Sequence, residues 1–205
     1  LAEVDSSAPA YLSFTSGTSG RPKGIVTGHA ALPHFVEWHV QQHALAAQDR
    51  FSLLSGVAHD PLLRDIFTPL AIGAALCIPE QAELYEPARL VEWLEREQIS
   101  IVHLTPALGE LIAIGAEAST TLFALRRMFW GGEVLGKATI RRVALVAPNA
   151  LHVNFYGTTE TPQAMAHHAV AADDDDSALP LGRGIDSVQV LVLAKESGLL
   201  KLGTV

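Results

Sequence analysis

Residues 11–24 read Tyr-Leu-Ser-Phe-Thr-Ser-Gly-Thr-Ser-Gly-Arg-Pro-Lys-Gly, a short apolar run that opens into a loop of hydroxyl and glycine residues. Tyr11–Phe14 reads as a strand. Thr15, Ser16, Gly17, Thr18, Ser19 and Gly20 follow without interruption, and Pro22, Lys23 and Gly24 close the segment. Glycine lets the main chain wrap an anion closely, hydroxyls and main-chain N–H groups donate to phosphate oxygens, and the lysine adds a mobile positive charge. A flexible serine–glycine linker has a similar composition, but it leaves the preceding strand and the Pro-Lys pair unexplained. The segment therefore reads as a strand leading into a phosphate-binding loop. The Walker pattern Gly-x-x-x-x-Gly-Lys-Ser/Thr is absent.

Outward from this loop, short apolar runs alternate with helical patterns. Candidate strands are Tyr11–Phe14, Phe51–Leu54, Ala75–Ile78, Ile101–Leu104, Arg127–Trp130 and Leu151–Phe155. Candidate helices are Ala30–Ala46, Leu62–Ala71, Pro87–Glu97, Ala107–Ala116 and Lys137–Val146. This alternation predicts an α/β fold with a mostly parallel sheet flanked by helices, whose functional loops follow the carboxyl ends of strands. Thr15, His59-Asp60, Gly131-Gly132-Glu133 and the segment Tyr156–Glu160 all fall at such places. From about Met165 the pattern changes to strand, acidic loop and strand, the last over Val188–Leu193. Neither an internal repeat nor a dividing linker is visible.

Composition narrows the function classes. The chain has 205 residues, 49% hydrophobic and 18% charged, enough apolar material for a well-packed core. Its net charge of -8, from 14 basic and 22 acidic residues, argues against a nucleic-acid surface or an anionic membrane as partner. The run Asp173–Asp176 reads as a solvated loop, because four adjacent carboxylates cannot all face one ion. The single Cys77 reads as a core residue and fits a reducing cytoplasm. Apolar stretches of about 18 residues and signal-like n-regions are absent, so the expectation is a soluble cytoplasmic protein.

The second motif is Asn154-Phe155-Tyr156-Gly157-Thr158-Thr159-Glu160-Thr161. Turn chemistry explains Gly157 and the threonines but not the isolated acid beside them. A nucleotide site needs an aromatic face for the base, donors for the phosphate and a hard oxygen ligand for magnesium. With the first loop and Gly131-Gly132-Glu133, the motif resembles the adenylate-forming enzymes: peptide-synthetase adenylation domains, acyl-CoA synthetases and luciferases. Pro180-Leu181-Gly182-Arg183 followed by Val188-Gln189-Val190 resembles a further motif of that family, so the likeness spans residues 9 to 205.

The resemblance implies roles. Thr15, Ser16, Gly17, Thr18, Ser19, Gly20 and Lys23 would hold the β- and γ-phosphates of ATP. Gly132 and Glu133 would line the adenine pocket, with Asn154 near the base and Tyr156 stacked on it. Gly157 and Thr158 belong to the same nucleotide-binding segment, Thr159 would meet the α-phosphate, and Glu160 would bind Mg²⁺. The implied reaction is attack by a substrate carboxylate on the α-phosphorus, giving an acyl-adenylate and pyrophosphate, with Lys23, Thr159, Glu160 and His59 as catalytic parts. Such chemistry is mostly positioning and charge neutralisation.

A third region bears on substrate choice. In amino-acid-activating members an aspartate pairs with the substrate ammonium, and Asp60 falls at that position, with His59 where the family has an aromatic gate. Arg64 is one helical turn beyond Asp60, so both can face one pocket, the alternative being that Arg64 lies on the helix surface. The remaining pocket positions are Pro61, His103, Phe129, Gly131, Phe155, Gln163 and Ala164. The string Ala58-His59-Asp60-Pro61 with Arg64-Asp65 and Phe67-Thr68-Pro69-Leu70, then His103-Leu104-Thr105-Pro106, resembles the α-aminoadipate reductase adenylation domain and related peptide-synthetase modules. Guanidinium pairs bidentately with carboxylate, which suits an acidic substrate side chain.

His29, His34, His39 and His43 recur at spacings of four to five residues and read as a solvated helix face rather than a metal stripe. His167 and His168 are adjacent on a strand and point to opposite faces. The resemblance implies a ribose-binding aspartate, a hinge and a lid lysine beyond Val205. The expectation is a partial adenylation domain, the central part of the large subdomain, inactive alone, whose parent passes the adenylate to a phosphopantetheinyl carrier. An acyl-CoA or aryl-acid ligase is the rival within the class, and Asp60 argues against it, because an acid without the ammonium would bury an unpaired carboxylate. A non-catalytic nucleotide-binding module is the rival outside it.

Overall fold

The computed structural model describes residues 4–15, 21–174, 178–191, 193–196 and 199–202. Seven strands form the main sheet in the order β4-β3-β5-β6-β7-β8-β9. They are β3 (Arg50–Ser52), β4 (Ala75–Cys77), β5 (Ile101–Leu104), β6 (Arg127–Trp130), β7 (Leu151–Thr158), β8 (Thr161–Ala169) and β9 (Arg183–Gly184). From β4 through β7 every pairing is parallel, and β8 and β9 add antiparallel to that edge. The expected mostly parallel α/β sheet is therefore present.

The central strands read as nearly continuous apolar runs because each is buried on both faces. In β5, Ile101 faces one helical layer and Val102 the other; in β6, Phe129 faces the first and Met128 and Trp130 the second. The first layer holds α1 (Ala31–His43), whose Phe35 and Trp38 pack on Phe129, Val153 and Phe155, and α2 (Pro61–Ile72). Beyond the opposite face lie α4 (Pro87–Arg96), α5 (Pro106–Gly115) and α6 (Lys137–Val146), which supply Leu90, Trp93, Ile112, Ile140 and Val143. Short α3 (Gln81–Tyr85) leads into α4. Proline opens α2, α4 and α5, where a missing N–H costs nothing. Thr105 also caps α5, its hydroxyl accepting from the Leu108 N–H at 3.3 Å. Helix α2 stops at Gly73, whose φ of 69° suits glycine.

Several sequence expectations change. The phosphate-loop strand is β1 (Pro9–Thr15), and it belongs to a separate antiparallel hairpin with β2 (Lys23–Gly28), not to the parallel sheet. Val188–Leu191 is not strand; the strand pair near the end is β10 (Leu193–Glu196) with β11 (Leu199–Leu202). Helix α1 ends at His43, because Ala44 turns into the left-handed region with φ 50°. Cys77, as expected, is a buried strand residue, and burial pushes its thiol pKa up. The histidines of α1 do not form a solvated face: His39 is fully buried and His43 nearly so, beside Phe35 and Trp38. Among the described residues, no helix is long and apolar enough to cross a membrane.

Candidate nucleotide and substrate site

The loops that leave the carboxyl ends of the parallel strands converge on a cleft of about 500 Å³. Such an edge is where open α/β sheets bind ligands. After β3 come Ser55, Gly56, His59 and Asp60; after β5, Thr105; after β6, Gly131, Gly132 and Glu133; from the end of β7, Gly157, Thr158 and Thr159. Helix α2 adds Pro61 and Arg64, and β8 adds Gln163.

Asp60 is the residue before α2 and stands partly exposed at the mouth of this helix. The Thr159 hydroxyl donates to its Oδ1 at 3.2 Å, and the Gln163 amide donates to its main-chain oxygen at 3.3 Å. The α2 end, where Asp60 sits, is thereby tied to the β7–β8 turn that carries Thr159 and Glu160. Arg64 lies one turn further along α2 on the same wall, 6% exposed, so its alternative placement on the helix surface is excluded. Its Nη1 reaches the Gln163 carbonyl at 3.5 Å, its guanidinium carbon stands 6.0 Å from the Phe155 ring centre, and its Nε lies 3.7 Å from Asp65. Burial lowers the Arg64 pKa, opposed by the Asp65 and Asp60 carboxylates.

Below the cleft, His103, Phe129 and Phe155 form a stacked row with ring centres 5.0 and 5.1 Å apart. His103 and Phe155 line the cleft, whereas Phe129 and Ala164 lie wholly buried beneath it. Asp65, fully buried, approaches His103 Nδ1 at 3.0 Å but off the line of a hydrogen bond. On its other side His103 Nε2 meets His39 Nε2 at 3.0 Å. Desolvation holds both imidazoles below their ordinary range.

On the phosphate side, β1 and β2 bring Thr15 opposite Lys23. Lys23 reaches across to Glu160 at 3.6 Å, both side chains being well exposed. Glu160's own main-chain N–H, then the Thr158 hydroxyl, then Lys23 hold its carboxyl below the usual range. A hard, ionised oxygen ligand beside a lysine fits magnesium bound with phosphates, since Mg²⁺ takes one or two carboxylates and leaves its other positions to phosphate and water. Among the described residues no group of three or more His, Cys, Asp or Glu side chains is placed to hold a metal. Gly157 packs so closely on the Gln163 and Ala164 main chain that a Cβ would meet the Gln163 oxygen at 2.9 Å. Gly132 takes φ +88° between β6 and Glu133.

The family profile of AMP-binding enzymes matches residues 1–204. The chain belongs to the AMP-binding enzyme family. This AMP-binding chain is 40% identical over 190 residues to the L-2-aminoadipate reductase of Schizosaccharomyces pombe, a match covering 89% of this chain and 13% of that protein. The adenylation domain AlmE of Vibrio cholerae, solved in complex with glycyl-adenosine-5'-phosphate, superposes with a TM-score of 0.86 at 26% identity. That alignment covers 97% of this chain and 37% of AlmE. Holo-PA1221, an NRPS protein containing adenylation and PCP domains, superposes with a TM-score of 0.79 at 28% identity over 97% of this chain and 34% of its own. The chain thus spans well under half the length of these relatives. They place it among adenylate-forming enzymes of the peptide-synthetase and aminoadipate-reductase kind, a family that uses ATP.

Of the residues anticipated from sequence, Asp60, Pro61, Arg64, His103, Gly131, Phe155 and Gln163 share the cleft with His59, Gly132, Glu133, Gly157, Thr158 and Thr159. Ser16, Gly17, Thr18, Ser19 and Gly20 lie outside the described residues. Asn154 is 3% exposed and donates to the Pro180 carbonyl at 2.9 Å, so it secures the Pro180–Arg183 segment against β7. Tyr156 is 41% exposed and does not line the cleft with its neighbour Phe155. Sequence reading gave no individual role to Ser55, Gly56, Thr105 and Leu108 in the lining, or to Asp65 and His39 behind it, although Ser55-Gly56 opens the segment that leads to Asp60. The helix start at Pro106 was the available signal for Thr105; nothing local pointed to the others.

Proposed function

We propose that this chain is the central part of the large subdomain of an amino-acid adenylation enzyme whose substrate carries an acidic side chain, as L-2-aminoadipate does. The observation that carries the reading is the placement of Asp60 and Arg64, opposite charges one turn apart on the wall of one cleft. Asp60 receives the substrate ammonium at the mouth, and Arg64, buried below it, receives the distal carboxylate. Gln163 and Phe155 shape the space between. The reacting carboxylate is then directed toward Thr159, whose hydroxyl already touches Asp60.

In this reading Lys23 and the loop Thr15–Gly20 hold the β- and γ-phosphates, Gly132 and Glu133 line the base pocket, Tyr156, exposed beside the cleft, stacks on the base, and Asn154 acts only from behind, through the Pro180 segment it secures. Thr159 meets the α-phosphate, His59 flanks the reacting carboxylate, and Glu160 holds Mg²⁺. A magnesium ion there supplies neutralisation of phosphate charge. The substrate oxygen attacks the α-phosphorus, pyrophosphate leaves, and the acyl-adenylate passes to a carrier thiol elsewhere in the parent polypeptide. The aminoadipate reductase resemblance supports the acidic substrate; the NRPS neighbour with a PCP domain supports the carrier.

The test is amino-acid-dependent ATP–pyrophosphate exchange by the full-length parent. L-2-aminoadipate or a close dicarboxylic amino acid is expected to give the highest kcat/KM. A parent that activates only neutral amino acids, or only acids lacking the α-amino group, contradicts the assignment.

A further inference from the structure

Arg64 does not face the cleft as a free cation, because Asp65, with both carboxylate oxygens buried and without hydrogen bonds, lies 3.7 Å from its Nε. The pair is already neutral. If the reading above holds, an acidic side chain brings a second carboxylate to that one guanidinium, while Asp60 is matched by the substrate ammonium. One negative charge is then left over in a buried space, where an unbalanced carboxylate is strongly disfavoured.

The groups next in line are imidazoles. His103 lines the cleft and lies between Asp65 and His39, 3.0 Å from each. With one proton on His103 Nδ1 beside Asp65, the contact between the two Nε2 atoms needs a second, which His39 donates to His103. In that neutral arrangement His39 Nδ1 is a bare, buried acceptor without a partner. It is the place for a third proton. The row continues through His43, 5.2 Å from His39 between ring centres, to His167, a further 6.1 Å on. His43 and His167 line a second cleft of about 610 Å³, formed by the last residues of α1, the starts of β6 and β7 and the end of β8, so the row runs from the substrate pocket toward another surface of the molecule.

We propose that the His103–His39 pair takes up one proton from solvent when an acidic side chain enters the pocket, so that an imidazolium balances the added carboxylate. His39 touches no substrate and is a positioning residue that sets the charge of His103. The other charged or titratable groups facing the row are Arg64 and Asp65 from α2, Arg127 from β6 and Arg126 before it, and His168 and Arg183 beside His167. Apart from Asp65 these are cationic or neutral, and burial adds to them, so without an acidic guest the imidazoles stay neutral near pH 7.

The test uses the full-length parent with L-2-aminoadipate and its δ-amide. Calorimetric titration in two buffers of different ionisation enthalpy is expected to show about one proton taken up per aminoadipate bound and none per amide. Pyrophosphate exchange between pH 6 and 8 is expected to show KM for aminoadipate rising toward tenfold per pH unit, with kcat and the amide KM flat, as linkage requires. His39→Gln retains an amide N–H to donate to His103 Nε2, and an oxygen to accept from it, but cannot hold the extra proton, and it is expected to move the rise in KM to lower pH by about one unit. A purely structural role would lower stability or kcat without moving that profile. Aminoadipate activated with no proton uptake and a pH-independent KM overturns this inference and leaves the substrate reading standing. Failure to activate any acidic amino acid overturns both.

Discussion

In the proposed reading, Asp60 and Arg64 divide the recognition of a zwitterionic acidic substrate between the rim and the floor of the one cleft that both line. Asp60 is partly exposed and hydrogen-bonded by Thr159, whereas Arg64 is buried and tied to Asp65. Asp60→Ala is expected to abolish activation of α-amino acids, because leaving an ammonium unpaired at a closed site costs about 2–5 kcal/mol. Steady-state exchange kinetics check this, with near-normal KM for any amino acid as the contrary result. Arg64→Ala removes the partner of a dicarboxylic side chain but also leaves Asp65 buried without its counter-ion. Arg64→Met with Asp65→Asn keeps the floor neutral, and it is expected to lose acidic substrates selectively while sparing neutral ones. For the nucleotide, Tyr156→Ala is expected to weaken ATP use by about 1–3 kcal/mol, the worth of a stacked base. Unchanged ATP dependence would remove Tyr156 from the site. The Asp60–Arg64 pairing was legible in sequence because one helical turn places two residues on one face. Asp65 and His39 were not, because their roles come from His103, which lies 64 positions after His39 and reaches it only through the folded sheet.

Helix α1 presents its inward face as Phe35, Trp38, His39 and His43, a mixed apolar and imidazole surface packed on Phe129 and Phe155. A run of four histidines suggests water when read one residue at a time, and only the partner sheet turns two of them into core. Burial, then His167 and Arg127, lowers His43 to about 3, and burial lowers His152 to about 4. Folded, each binds fewer protons than the unfolded chain between those values and 6.5. Their stabilisation is therefore complete above about pH 6.5 and is lost as pH falls toward 4 and 3, by up to about 1.4 kcal/mol per unit for each group. Urea midpoints measured from pH 7.5 to 4.5 are expected to fall steadily below 6.5, and a flat profile contradicts the burial of these rings. At β9, Gly182 takes φ +75°, and a Cβ there would stand 2.0 Å from the His167 carbonyl oxygen. Gly182→Ala is expected to destabilise by about 1–3 kcal/mol through forced separation of the Pro180–Arg183 segment from β8. The same denaturation measurement decides it, and an unchanged midpoint would mean that the segment is not clamped there.

Elements with strong local signals were the ones read correctly. Strands β5 and β6 and helix α6 were visible as bounded apolar or periodic runs, their ends fixed by proline, threonine and glycine. The β1–β2 hairpin was not, because Ile25 and Val26 are too short a run to announce a strand without the partner that pairs with it. The strand expected at Val188–Leu193 failed for the converse reason: its apolar alternation finds no ladder through Leu191.

At the scale of the whole molecule, separate elements converge on one edge. Loops from β3, β5, β6 and β7 meet at the carboxyl edge of the sheet, and a separate hairpin brings Lys23 to Glu160. That edge supplies positioning and charge, but an adenylation reaction also needs water shut out, which a lid provides mainly in the transition state. The chain corresponds to 13% of the length of the fission-yeast reductase. The 205 residues alone are accordingly expected to form little or no acyl-adenylate, with turnover appearing in the parent polypeptide. The most direct measurement is pyrophosphate exchange by that parent, wild type and Asp60→Ala, across a panel of α-amino acids and their des-amino analogues. Exchange is expected to be driven by a dicarboxylic α-amino acid, absent with its des-amino analogue and lost in the Asp60 variant. Exchange that survives both removal of the amino group and loss of Asp60 would contradict the proposed function.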